Sequence, residues 1–209
     1  DVSLHAAAQR ARRFVEATET DLKPLRATIN VAKLSSTALL SDAFDEDALR
    51  PTEDEKSETM CAVHERVVRD KVIGAEELSL HGKAHFASAD DIKRMLSDSS
   101  AFFSLGYCRF FTAINSGEFA SQDLRKLGLL ALFHRAINDH AFRRQAKVDS
   151  KKTPQQLAVE TSFGMSVIAT FRGVTCLMMT TVPVPTALAI RCFEAFARDV
   201  KDGKTVAKA

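Results

Sequence analysis

Residues 101–115 read AFFSLGYCRFFTAIN. Wound as a helix, this stretch is apolar on every side, with Phe102, Phe103, Leu105, Tyr107, Phe110, Phe111 and Ile114 leaving no polar face. A helix apolar all round belongs at the centre of its protein. Asp98–Ser100 offers a cap before it, and Asn115-Ser116-Gly117 a stop after it. The pattern predicts a buried central helix whose single charge, Arg109, needs a partner or a route to water.

Similar punctuation recurs outward from this stretch. Thr153-Pro154-Gln155-Gln156 is a helix start: a Thr cap, Pro at the first helical position, and a Gln that reaches back to the cap. Ser88 with Asp91 starts a helix carrying Ile92, Met95 and Leu96, and Thr52 with Glu55 starts one that Gly74 ends. Ser121 or Asp123 opens a long helix to Lys147, with Leu124, Leu127, Leu130, Ala131, His134, Ile137 and Ala141 at helical spacing. Thr186 caps a last helix that Gly203 closes. Residues 3–19 and 21–40 read as two more, Pro24 falling in a first turn. Alternating apolar runs with turn dipeptides are absent, and there is no repeat of solenoid length. The expected fold class is all-α, an irregular bundle of roughly seven to nine helices. Its expected organisation is an N-terminal helical pair (1–42), an acidic connection (43–57), a main bundle (58–202) and a mobile tail (203–209).

Composition narrows the class of protein. Of 209 residues 45% are hydrophobic, enough for a substantial core. Fourteen Phe against one Tyr and no Trp make the aromatic content dry filling, and argue against sugar or base platforms. Twenty-nine basic and 27 acidic residues leave a net charge of +2, too balanced for strong global attraction to nucleic acid or anionic lipid. Cys61, Cys108, Cys176 and Cys192 form no Cys-x-x-Cys pair and read as buried thiols, pointing to cytosol, mitochondrial matrix or plastid stroma. The opening DVSLHAAAQRARRFVEA carries no secretory signal. It is Ala- and Arg-rich like an organellar presequence, but Glu16, Glu19 and Asp21 assign it to the mature protein.

Candidate chemistry is sparse. His81 and His85 lie four apart, but Gly82 stands between them and a third ligand is missing, so no metal site is expected. His134 and His140 flank Asp139, yet helix neighbours in sequence do not face one another, and His134 reads as a hydrogen-bonded core residue. Gly164-Met165-Ser166 lacks the second glycine of a nucleophile elbow. No glycine-rich phosphate loop occurs, and Glu65 and Glu118 lack the His three residues on that a di-iron bundle requires. No cofactor or small-molecule substrate is implied. The run 173–190, GVTCLMMTTVPVPTALAI, is uncharged and just long enough to span a bilayer, but its two prolines would free backbone groups that lipid cannot satisfy. It reads as two helices joined by a buried or partner-covered turn, with a membrane-apposed hairpin as the alternative.

Three functions follow as expectations. The first is a non-enzymatic helical accessory subunit of a larger, organellar assembly, binding other subunits through Phe102, Phe103, Phe110, Phe111, Val182 and Val184. The second is an RNA- or nucleoprotein-binding component that uses Arg143, Arg144, Lys147, Lys151 and Lys152, with Arg10, Arg12 and Arg13 as a second patch. The third is an enzyme with a dispersed site around His134, Arg109, Asp139 and Glu160. The first carries the most weight.

Overall fold

The sequence 101–105 is not helical: it is the middle strand of a parallel sheet. The computed structural model describes residues 36–49, 58–72, 79–82 and 87–204. Five strands run through them: β1 (Thr37–Ser41), β2 (Ser79–His81), β3 (Ala101–Leu105), β4 (Leu129–Phe133) and β5 (Cys176–Met179). Their order is β2-β1-β3-β4-β5, every pairing parallel, with Phe102 opposite Ala38 and Leu130. The expected all-α bundle is therefore wrong, and the fold class is α/β. The apolarity of AFFSL on all sides has a different cause. A central parallel strand is covered on both faces and needs apolar residues at every position. Phe102 and Phe103, neighbours in sequence, duly go to opposite sides. Phe102 meets Phe110 edge to face at 5.8 Å, while Phe103 meets Phe193 at 6.5 Å and Phe196 at 6.3 Å.

The same correction applies along the chain. The helix expected from Ser121 to Lys147 contains β4 and only then a helix. The helix expected to reach Leu40 ends in β1, and the run 173–190 holds β5 where a helix was expected. Among the described residues no helix is long and apolar enough to cross a membrane. Among the described residues eight α-helices connect or flank the strands: α1 (Met60–Arg69), α2 (Ala89–Asp98), α3 (Phe110–Ala113), α4 (Ser116–Ser121), α5 (Asp139–Asp149), α6 (Pro154–Val159), α7 (Ser162–Phe171) and α8 (Thr186–Lys201). The caps read at Ser88 and Thr153 are present, the second as a full capping box. Asn138, not Ser121 or Asp123, caps α5 by accepting from the Ala141 amide at 3.0 Å. Residues 1–35, Thr52 with Glu55, Gly74, His85 and 205–209 lie outside the described residues.

Crossovers of one hand fix the layers. The step from β1 to β2 runs one way across the sheet and every later step the other way, so α1 must lie on one face and α2, α3, α4 and α7 on the other. Leu39, Phe103, Leu105 and Phe133 accordingly cover α1 and α8, through Met60, Val63, Phe193 and Phe196. On the opposite face Ala38, Leu40, Phe102, Leu130 and Leu132 join Ile92, Leu96, Phe119, Leu124 and Met165 in one core.

Candidate functional site

In an all-parallel sheet every strand ends at the same edge, and ligands bind there, beside the point where the order reverses. Here that point lies between β1 and β3. β1 runs directly into Asp42, whose carboxylate accepts the amides of Glu46 (3.0 Å) and Asp47 (2.8 Å), the start of a 3-10 turn at Glu46–Leu49. Asp47 in turn accepts from the Tyr107 hydroxyl (2.6 Å) and the Cys61 amide (2.9 Å). His81, at the end of β2, brings a ring nitrogen within 4.8 Å of carboxylate oxygens of Asp42 and Asp47. His64 of α1 shares a 2.9 Å hydrogen bond with Ser41 and meets the His81 ring edge-on at 5.6 Å. Gly82 is required here, since a Cβ would stand 2.2 Å from the Asp42 carbonyl oxygen. Two carboxylates and an imidazole have the chemistry to hold a divalent cation, but all four carboxylate oxygens already accept hydrogen bonds from the protein. His81 thus stands with two aspartates.

One strand further on, a cavity of about 220 Å³ opens between the ends of β3 and β4 and the start of α7. Its polar lining is Arg109, His134, Arg135, Glu160, Thr161 and Ser162. His134 follows β4 directly and is 8% exposed, and its Nδ1 has no hydrogen-bond partner. Burial, then the charges of Arg135 and Arg109, push its pKa down to about 4. Arg109 has the partner its position demanded: it pairs with Asp149 of α5, and Glu160 lies 3.8 Å away. The Glu160 side chain is 1% exposed and binds Lys152 Nζ at 2.7 Å. Arg135 holds a left-handed backbone, φ +69°, clamped by bonds between its carbonyl and the Val184 amide (3.1 Å) and between the Ile137 amide and the Val184 carbonyl (2.9 Å). Strain of this kind persists only where the surroundings over-determine it.

Cysteine and histidine near the ends of adjacent strands suggest a nucleophile and its base. Cys108 and His134 share no hydrogen bond here. The Cys108 thiol donates to the Ala141 carbonyl at 3.6 Å, and burial pushes its pKa up to about 12, so it stays protonated. The Ser166 hydroxyl is engaged within its own helix, donating to the Ser162 carbonyl of α7 at 2.8 Å.

The residues singled out from sequence scatter. Phe102, Phe103, Phe110 and Phe111 are 0–4% exposed and build the two cores, so they offer no partner surface. Val182 is 61% exposed, while Val184 bridges to Ala136. The basic cluster on and after α5 divides. Arg144 turns inward to the buried Glu46 and lies over the Phe44 ring, and Lys152 turns to Glu160. Arg143, Lys147 and Lys151 remain at the surface. Asp139 and His140 are exposed on the first turn of α5, away from the cavity that His134 lines.

Apolar side chains are exposed at Ile137 (57%), Phe142 (74%), Val182 (61%) and Leu188 (46%), and also along α6 and α7. Phe163 (80%), Val167 (36%) and Phe171 (71%) form one stripe along α7, and Val159 (40%) continues it from α6. Between Thr153 and Phe171 the one charged residue is Glu160, and it is buried.

An open parallel sheet with helices on both faces and polar residues at its carboxyl edge defines a doubly wound α/β protein. Beyond that class, the chain matches no family model, no curated protein and no solved structure.

The buried groups of this edge set a pH dependence. Asp42 is pushed up to about 7 from 3.8 by burial, so its contribution is full below pH 3.8 and lost as pH rises to about 7. His64 and His134 are pushed down to about 4 from 6.5, again by burial first, so theirs is full above pH 6.5 and lost as pH falls to about 4. Between these limits two histidines outweigh one aspartate. Unfolding then takes up one net proton, and stability falls with acid by about 1.4 kcal/mol per pH unit. Of these three groups only Asp42 still titrates above pH 6.5, so their combined contribution reverses slope there. Urea midpoints across pH 4–8 check this. His134→Gln should flatten the acid limb, and an unchanged limb would show that His134 titrates normally.

Proposed function

We propose that this chain is a non-catalytic subunit of a larger protein assembly, and that it docks another protein through the outer face of α6 and α7. The observation that carries this reading is the stripe Phe163–Val167–Phe171, set in 19 residues whose sole charge is buried. Interface centres are depleted of charge and enriched in aromatics. Leaving two Phe more than 70% exposed on one helix forfeits about 1.5–3 kcal/mol of burial each, which a partner would recover. Phe in place of Tyr or Trp suits a dry contact with an apolar, uncharged surface on that partner. The thiol held at Cys108 and the internal bond of Ser166 favour binding over covalent catalysis. The inward turn of Arg144 and Lys152 weakens the nucleic-acid reading, because phosphate contact needs cations free to exchange their counterions.

The test is native co-purification of tagged wild type and of the double variant Phe163→Ser, Phe171→Ser. A fixed set of proteins should accompany the wild type in constant ratio and be lost from the variant, while the variant's urea midpoint changes little. If the wild type elutes alone, or if the variant keeps every partner, the reading fails.

A further inference from the structure

The cavity at the ends of β3 and β4 plays no part in that docking face. We propose that it is a binding site for a small monocarboxylate with an apolar body, the carboxylate lying against Arg135, His134 and the first turn of α7. Charge accounting points to one negative charge. Glu160 is matched by Lys152 and Arg109 by Asp149, whereas Arg135 has no ion pair among the described residues and its Nη1 donates only to the Thr181 carbonyl at 2.6 Å. The first turn of α7 supplies amide groups that no helix carbonyl can satisfy, and these favour an anion. Thr161 uses its hydroxyl to cap Gly164, and Ser162 lines the cavity beside it.

Two observations independent of the helix end point the same way. His134 is nine-tenths buried, lines the cavity and has no partner at Nδ1. Arg109 likewise has a buried Nε with no partner. Polar atoms left so usually await a water or a ligand. The far wall is apolar, formed by Phe110, Leu132, Met165 and Met179, so a bare inorganic anion would leave it unused. At about 220 Å³ the space exceeds the ~150 Å³ that holds a benzene ring, leaving room for a ring or branched chain with a short acid arm.

Phenylacetate is the probe, titrated into the purified chain and followed by NMR of the histidine ring nitrogens and backbone amides. Saturable shifts are expected at His134 and at the amides of Ser162 and Phe163, with the His134 titration midpoint moving upward as an anion settles beside it. Arg135→Gly removes the charge and also relieves the left-handed backbone, so it should fold at least as well and bind about tenfold or more weaker. Arg135→Gln, which keeps the backbone demand, should weaken binding equally. The neutral isostere 2-phenylethanol and inorganic phosphate should each bind far less than phenylacetate. No saturable shift at millimolar phenylacetate, shifts elsewhere, equal binding of phosphate or of the alcohol, or undiminished binding by both Arg135 variants would each overturn the assignment. No partner protein enters this experiment, so its result is separate from that of the docking test.

Discussion

Phe103→Ala is expected to destabilise the protein by about 3–5 kcal/mol, as truncation of a fully buried Phe does. Phe103 is 0% exposed and stands on the central strand, with Ser41 and Leu39 of β1 and Ala131 of β4 on its own layer. Its ring sits against Phe193 and Phe196 of α8, and Phe133 of β4 meets the same two rings at 5.4 and 5.6 Å. Removing it opens a cavity between sheet and helix that a parallel strand, bonded on both sides, cannot close by shifting. The urea midpoint should fall sharply. A surface anchor for a partner would behave oppositely: truncation would change folding stability by no more than about 0.5 kcal/mol and weaken assembly instead. A small effect on stability with loss of assembly would therefore restore the sequence expectation for Phe102 and Phe103 and contradict their placement in the sheet.

That contrast also shows what the sequence could and could not disclose. Helix starts were legible because a cap is local: Ser88 accepts from the Asp91 amide and Thr153 from Gln156, three residues on, so no tertiary knowledge is needed. The strands were not. AFFSL, LLALF and CLMM are short apolar runs without alternation, and such a run fits a buried helix as well as a strand covered on both faces. The turn signals that usually bound strands were missing because parallel neighbours are joined by helices, not hairpins. Length held the remaining clue. Gly128 before LLALF and Gly106 after AFFSL limit each run to less than two helical turns, too short for the central helix that the apolarity suggested. The Arg109 requirement was read correctly, since an isolated buried charge needs a partner whatever the fold, and Asp149 fills that role. The edge cluster stayed hidden because contacting members lie up to 60 residues apart along the chain, as in Ser41–His64 (23) and Asp47–Tyr107 (60). The parallel order alone brings them together.

Lys152→Met should be nearly as damaging as the loss of Phe103, and for an electrostatic reason. Lys152 Nζ binds Glu160, whose side chain is 1% exposed, and also donates to the Phe111 carbonyl at 3.2 Å. Removing one partner of a buried pair leaves the other charge uncompensated and costs about 3–5 kcal/mol. Arg109 lies 3.8 Å from Glu160 but is already held by Asp149, so it moderates the loss without abolishing it. Lys152→Met with Glu160→Leu removes both charges, and the double variant should recover most of the stability, as apolar replacement of buried pairs often does. The double-mutant cycle, read by urea denaturation, isolates the pair from the packing of either side chain. If the double variant is as unstable as the single one, the alkyl packing of Lys152 matters and the charge does not. The position of the pair gives the result its functional reach. Glu160 closes α6 immediately before α7 begins, and Lys152 follows the end of α5. The ion pair therefore ties to the body of the protein the two helices that carry the apolar stripe and form one wall of the cavity. Loosening it should lower stability, partner capture and phenylacetate binding together, whereas Phe163→Ser with Phe171→Ser should lower partner capture alone.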